Sequence, residues 1–427
     1  MKTIFFVVSA LALFVMTACK DPSDGTGTLP EAPLVEGGVS FSLSPDKRTI
    51  TVKVKTAVGN VTVEGCKETT LTSDTEAELH AQGTRVTLKG DITELKCDNN
   101  QLISLNVQGL TALKSLECFN NLLTALNVQG LPALQDLECR NNELTSLNLR
   151  GMTALQGLRC GGNKLTALNV RDLRALQTLR CNDNLFTELD VHGLTALQNL
   201  SCKNNKLVAL DVQGLPLKKL YCPGNDLTVL DAQGLRSLDY LACDGNELTQ
   251  LNVQGCSSLQ QLICRDNRLT SLNVQGLRIL EYMDCKRNPL TSLDVRDLGV
   301  LKTLDCSESR LAFLNVENCA ALEELHCEDN RLASLDAGGL SALKKLHCYS
   351  NFLNADAFIK IFTKLPERPA DDNGECELFT ERPGVTEGNC RDFTSPQALK
   401  DAFVAAKDKK HWKMYKYNKN GNQDSAG

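Results

Sequence analysis

Aromatic residues are scarce in this chain. Phe, Trp and Tyr make up 5% of its 427 residues, and there is a single Trp. A chain of this length is too long for one ordinary compact core. It must either divide into several domains or grow along one axis as an array, and the few rings and closely spaced leucines favour the array. A basic excess is also missing: 46 Lys and Arg face 52 Asp and Glu, for a formal net charge of −6. Without a concentrated basic face, nucleic acid is excluded as the main partner. Histidine occurs five times, at 80, 192, 326, 347 and 411. None of the five lies in a nucleophile elbow, a phosphate loop or a zinc-protease helix. No C-x-x-C pair offers a thiolate metal site. Catalytic residues, a cofactor and a bound metal are therefore not expected.

The N-terminus carries a clear export signal. Lys2 precedes an apolar run, residues 4–16, which ends at Thr17-Ala18-Cys19. The run is about 13 residues long, short of the roughly 20 needed to span a bilayer, so it reads as a secretory signal peptide over 1–18. Met16-Thr17-Ala18-Cys19 resembles a bacterial lipobox, which implies that Cys19 is acylated and becomes the mature N-terminus. Acyl chains would hold the protein on a membrane without a spanning helix. Lys20, Asp21 and Asp24 resemble the charged leader of lipoproteins sent to the outer face of the outer membrane, so a surface-exposed, lipid-anchored location is expected. Residues 19–37, rich in Pro, Gly, Ser and acidic side chains, read as a flexible tether.

Cysteine spacing sets the architecture. Thirteen cysteines stand at 97, 118, 139, 160, 181, 202, 222, 243, 264, 285, 306, 327 and 348, every step being 21 residues except the 20 from Cys202 to Cys222. Such a period marks stacked structural units. One unit reads Leu113-x-x-Leu116-x-Cys118-x-x-Asn121-x-Leu123, followed by Leu126-Asn127-Val128 and Gly130-Leu131. Leu116 and Cys118, two apart on a strand, share one face. No unit can bury its apolar set alone, so neighbours must stack into a continuous core. Asn follows each ladder cysteine at the third position, except at Ser309, and its amide suits turn groups that no strand ladder reaches. Neighbouring Cβ vectors on parallel strands run side by side, which is poor geometry for bridges. The thirteen thiols therefore read as small core hydrophobes. Cys256 and Cys319, in a leucine slot, join them, while Cys66 belongs to the N-terminal module.

This pattern, over 86–353, resembles the leucine-rich repeat, and its cysteine ladder is similar to that of the internalin-J type of bacterial surface adhesin. The resemblance implies an α/β repeat solenoid of 21-residue units with parallel strands on its concave face. At that length the convex side has room only for a short turn or strand such as Leu126-Asn127-Val128. Thirteen strands at ~4.8 Å give an arc on the order of 60 Å.

Both flanks depart from the period. Residues 38–85 alternate, as in Thr49-Ile50-Thr51-Val52-Lys53-Val54-Lys55, and read as a β-rich cap on the first coil. In 354–427, Asn354 opens a helix with Ala355, Phe358, Ile359, Phe362 and Leu365 on one face. Ser395-Pro396 opens a second, with Leu399, Ala402, Phe403 and Ala406 inward, and 412–417 alternates like a strand. This segment reads as an α/β C-terminal cap. Its lysines, 407, 409, 410, 413 and 416, read as a solvated face. Cys376 and Cys390 lie here in an exported protein, where a bridge is chemically allowed, and they are expected to pair.

Side chains one before each ladder cysteine should line the concave face: Lys96, Glu117, Glu138, Arg159, Arg180, Ser201, Tyr221, Ala242, Ile263, Asp284, Asp305, His326 and His347. Acid and base alternate at first, the middle is apolar or aromatic, and Phe119, Tyr240 and Tyr282 add rings from flanking columns. Asp284, Asp305, His326 and His347 fall on four consecutive strands, with Glu324, Glu328 and Tyr349 beside them. This stretch reads as partner contact, with a divalent-metal or pH-sensitive contact site as the alternative, although strand spacing of ~4.8 Å is loose for a tetrahedral metal. The expected function is a monomeric, surface-anchored binding protein. By resemblance it is adhesin-like and captures an extracellular or host protein through Phe119, Tyr221, Tyr240, Tyr282, Asp284, Asp305, His326, His347 and Tyr349. Rings stack on sugars as well as on proteins, so envelope polysaccharide binding or scaffolding is the alternative.

Overall fold

The computed structural model describes residues 32–372 and 374–426. Cys19 and the segment expected to be a signal peptide lie outside these residues. Ile92–Lys96 is followed, once per unit, by three-residue strands from Ser115–Glu117 to Lys345–His347. Each pairs in parallel with the next, leucine opposite leucine, as in Leu95 with Leu116 and Leu325 with Leu346. Every strand buries its central residue, and most leave the flanking two at least partly exposed, Gly157, Ala242 and Asp284 being buried exceptions. The inward leucines and all thirteen ladder cysteines have no exposed surface or nearly none. One core thus runs the length of the array, with no unit closed on its own.

Two turns bring the chain round. The residue two after each ladder cysteine adopts positive φ, for example Asn120 at 51° and Gly162 at 64°. Asn, Asp and Gly tolerate that region at least cost, which explains their recurrence there. On the convex side the chain extends only briefly, so that Val229–Asp231 pairs in parallel with Gln250–Asn252, and Ser292–Asp294 with Phe313–Asn315. Among the described residues no helix lies within 86–353. A 21-residue unit leaves no room for one, so the α character of the fold is confined to the C-terminal segment.

The N-terminal strands join both sides of the first coil. Thr49–Thr56 runs antiparallel to Ile92–Lys96 and extends the concave sheet, while Gly38–Leu43 pairs antiparallel with Leu102–Asn106 on the other side. The tether expected up to residue 37 ends sooner. Ala32 is buried, its N–H donates to Ser104 Oγ at 2.9 Å, and its carbonyl accepts from Asn106 Nδ2 at 3.1 Å.

At the other end, α1 (Ala355–Lys364) starts at Asn354, whose side chain accepts from Ala357 N. It buries Ala357, Phe358, Ile361 and Phe362, whose rings meet Phe393 and Phe403. Then α2 (Gln397–Val404) buries Leu399 and Phe403, with no side-chain cap at its start. Two more strands, Gly374–Thr380 and Trp412–Tyr417, continue the parallel sheet beyond Lys345–His347. The strand at Gly374–Thr380 was not anticipated from the sequence. Lys410 is not a solvated side chain: its Nζ donates to the carbonyls of Phe362, Thr363 and Leu365 at the end of α1.

Candidate functional site

The outward side chains of the parallel strands form a continuous concave surface. Near its middle, Tyr221 and Tyr240 stand on adjacent strands, each partly exposed, with ring centroids 4.5 Å apart and planes 27° from parallel. Burial raises the Tyr240 phenol pKa, and the neighbouring Tyr221 adds to the shift. Beside Tyr221 lies a hollow of about 370 Å³ lined by Arg180, Asn182, Asn199, Ser201 and Lys219. Tyr282 follows two strands beyond Tyr240. Phe119 does not join this group. It lies toward the N-terminal end, under the guanidinium of Arg140 at 4.5 Å.

The acidic part of the column is less open than its sequence implies. Asp284 is buried, with 1% exposure. Its Oδ2 lies 3.3 Å from Arg265 Nη1, and its Oδ1 accepts from Lys286 N. Burial and the nearby Asp305 raise its pKa. Asp284 is therefore a structural carboxylate and offers little to a partner. Asp305 Oδ1 accepts from Ser307 N and Oγ, and its Oδ2 from Lys286 Nζ at 3.0 Å. Burial opposes its ionisation, but these donors outweigh that and lower its pKa.

The two histidines come much closer than strand spacing suggests. His326 and His347 are direct neighbours in the register, and their rings meet edge to face at a centroid distance of 4.4 Å. This tilt brings the two Nδ1 atoms to 3.1 Å. The next register partner of His347 is Glu377, so the column continues on the following strand, with Glu377 Oε2 3.2 Å from His347 Nδ1. Glu328 stands beside them, and donor atoms of His326, Glu328 and His347 all lie within 4.8 Å of one another. Burial lowers the His347 pKa to about 4, and the adjacent His326 adds to this. Burial raises Glu328 to about 8 and raises Glu377 as well. Tyr349 packs edge-on against Tyr417, 5.1 Å away, and belongs to this end rather than to the tyrosine pair.

A comparison with protein-family models gives no match, and neither does one with curated proteins. Solved structures do match. The functional domain of InlJ from Listeria monocytogenes, described as including a cysteine ladder, shares 31% identity over 68% of this chain and 73% of that one, with a TM-score of 0.51. The chain belongs to the cysteine-ladder leucine-rich-repeat family. A leucine-rich-repeat protein of Leptospira interrogans is 27% identical over 63% of this chain and 81% of its own, with a TM-score of 0.52. The leucine-rich effector YopM from Yersinia pestis is 25% identical over 70% and 88%, at 0.51.

In this cysteine-ladder protein all described cysteines are free thiols. Burial pushes Cys160 and Cys202 up to about 12 and raises ten further ladder thiols, while Cys348 is raised first by its hydrogen bond with Cys376. Cys256 and Cys319 are also buried, their Sγ atoms donating to Ala232 O and Val295 O. The expected Cys376–Cys390 bridge is not formed. Cys376 points into the core on the strand after Cys348, opposite Leu346, whereas Cys390 is only half-buried and its Sγ donates to Asp392 O. The sequence reading also missed Glu377. The column there skips from 347 to 377, so the 21-residue count no longer finds it, although Glu375-x-Glu377 around Cys376 repeats the alternation of a ladder strand.

Proposed function

We propose that this protein is an envelope lipoprotein, anchored through Cys19 and displayed at the outer membrane surface, that captures an extracellular protein on its concave face in the manner of an adhesin. Leucine-rich-repeat proteins of this kind are interaction scaffolds, and InlJ-like neighbours support that general role. The stacked Tyr221–Tyr240 pair carries the more specific reading. Two rigid rings bring apolar contact area and a polar tip at low entropic cost, as interface anchors do.

A second reading, capture of an envelope polysaccharide, draws on the hollow beside Tyr221. Arg180, Asn182, Asn199, Ser201 and Lys219 surround it with hydrogen-bond donors next to a ring, a combination that suits a sugar. Arrays of extracellular proteins and of glycans, probed with residues 20–427 and with a Tyr221→Ala/Tyr240→Ala variant, separate the two. A protein hit lost in the variant supports adhesion, a glycan hit lost in it supports the second reading, and silence on both arrays overturns ligand capture at this face. The anchor is tested apart from this: Cys19→Ser should move the protein out of the membrane fraction, and retention there would refute acylation at Cys19.

A further inference from the structure

We propose that His326, His347 and Glu328, with Glu377 beside His347, form a binding site for a divalent transition-metal cation of the zinc class at the C-terminal end of the concave sheet. This inference is independent of ligand capture at the tyrosine pair.

The donor set comes first. Two imidazoles with carboxylate oxygens suit zinc and its first-row neighbours, whereas Mg²⁺ and Ca²⁺ prefer all-oxygen sites. Spacing agrees with this. A tetrahedral zinc with bonds of 2.0–2.1 Å holds its ligand atoms about 3.3 Å apart. The Nδ1 atoms of His326 and His347 are 3.1 Å apart, and Glu377 Oε2 is 3.2 Å from His347 Nδ1.

The carboxylates supply an independent observation. Glu377 is 3% exposed, yet its Oε2 makes no hydrogen bond among the described residues and approaches only His347 Nδ1, while the buried Oε2 of Glu328 has no partner either. Buried polar atoms are nearly always satisfied, so two orphans on one cluster call for a missing cation. The other oxygen of Glu377 is already held, accepting from Tyr417 Oη and Gln423 Nε2, both at 3.0 Å. That leaves Oε2 oriented toward the imidazoles. Behind His326, Glu324 Oε2 lies 3.7 Å from Nε2 and is itself paired with Lys345 at 2.8 Å. A carboxylate behind the imidazole is the usual support of a metal-binding histidine. Arg382 stacks over Tyr417 at 4.2 Å and forms no ion pair among the described residues, although its charge favours the ionised form of Glu377.

The site spans Glu324–His326, Lys345–His347 and Gly374–Thr380. A bound cation would thus fasten the irregular C-terminal strand to the last two regular ones.

The test uses the purified full chain, freed of metal with a chelator and titrated with Zn²⁺ by calorimetry. One equivalent should bind, and the melting temperature should rise with zinc concentration. His326→Gln and Glu328→Gln, both on the partly exposed face, should each weaken binding at least tenfold. Glu377→Gln should do so as well, provided circular dichroism shows it folded. Co²⁺ in place of zinc should give d–d bands without thiolate charge transfer, because the buried thiols take no part. Absence of one-equivalent binding, unchanged affinity in the two surface variants, or a thiolate signature overturns the site. Tyr221→Ala/Tyr240→Ala should bind zinc normally, so failure of the capture reading leaves this result untouched.

Discussion

Asn246 reaches back 24 residues to donate from Nδ2 to the carbonyl of Cys222 at 3.1 Å. The same nitrogen donates to Cys243 O at 3.0 Å, while its Oδ1 accepts from Leu227 N at 3.1 Å. One buried amide therefore satisfies two carbonyls and an N–H across two adjacent units, at the bend where the strand ladder stops. The arrangement recurs along the array, as at Asn142 and Asn288. Asn246→Ala would strand the Leu227 N–H and leave each carbonyl with one asparagine donor in place of two, Asn225 Nδ2 on Cys222 O and Asn267 Nδ2 on Cys243 O. A stranded N–H costs about 1–3 kcal/mol, and a loss in that range is expected. Urea unfolding measures it. A loss under ~1 kcal/mol would show that the amide column merely fills space.

Ser309 is the one interruption in that column, and its shorter side chain reaches only Ser307 O, at 3.2 Å. Restoring the amide with Ser309→Asn should let it serve the preceding unit as Asn288 and Asn330 do. A stabilisation of roughly 0.5–2 kcal/mol is expected, the usual gain from a consensus substitution. A destabilised variant would mean that the turn at Glu308, with φ of 49°, has adapted to serine.

These two residues also show what the sequence discloses. Asn246, Leu116 and the ladder cysteines are legible because a repeat forces every unit to solve the same burial problem at the same spacing. Tyr221 and Tyr240 follow at once, since a strand of known phase tells which side chains face outward. Glu377 and Asn389 are illegible for the opposite reason. Asn389 performs the ladder duty for Leu353 N and Cys348 O, but it sits 41 residues after Cys348, past α1 and the strand Gly374–Thr380. No period reaches across such an insertion. Side-chain tilt is invisible as well: strand spacing predicts histidines ~4.8 Å apart, and only their edge-to-face packing brings Nδ1 to Nδ1 at 3.1 Å.

Thiol accessibility tests the core assignment. Nineteen cysteines less Cys19 leave eighteen in residues 20–427. All are buried except Cys390, and burial pushes Cys66, Cys256 and Cys319 up to about 11. Since the thiolate is the reactive form, a maleimide at pH 8 should label Cys390 alone in the folded chain and all eighteen in denaturant. Labelling of sixteen in denaturant would instead report that Cys376 and Cys390 are bridged. Rapid native labelling of ladder cysteines would contradict the buried core.

The Lys410 ammonium is the last contact that lends itself to a clean test. It donates to Phe362 O at 3.2 Å, Thr363 O at 2.6 Å and Leu365 O at 2.7 Å, and so closes the carbonyl end of α1. A cation there also opposes the negative end of the helix dipole. Lys410→Met keeps an apolar stem of similar length and removes only the charged donor. Hydrogen bonds from a charged group contribute about 1.5–3 kcal/mol, and a loss in that range is expected. Burial already lowers the Lys410 pKa, which shows that desolvation takes back part of the gain. Equal stability of the methionine variant would mean that desolvation cancels the three bonds outright, and that α1 is held by its buried face of Ala357, Phe358, Ile361 and Phe362.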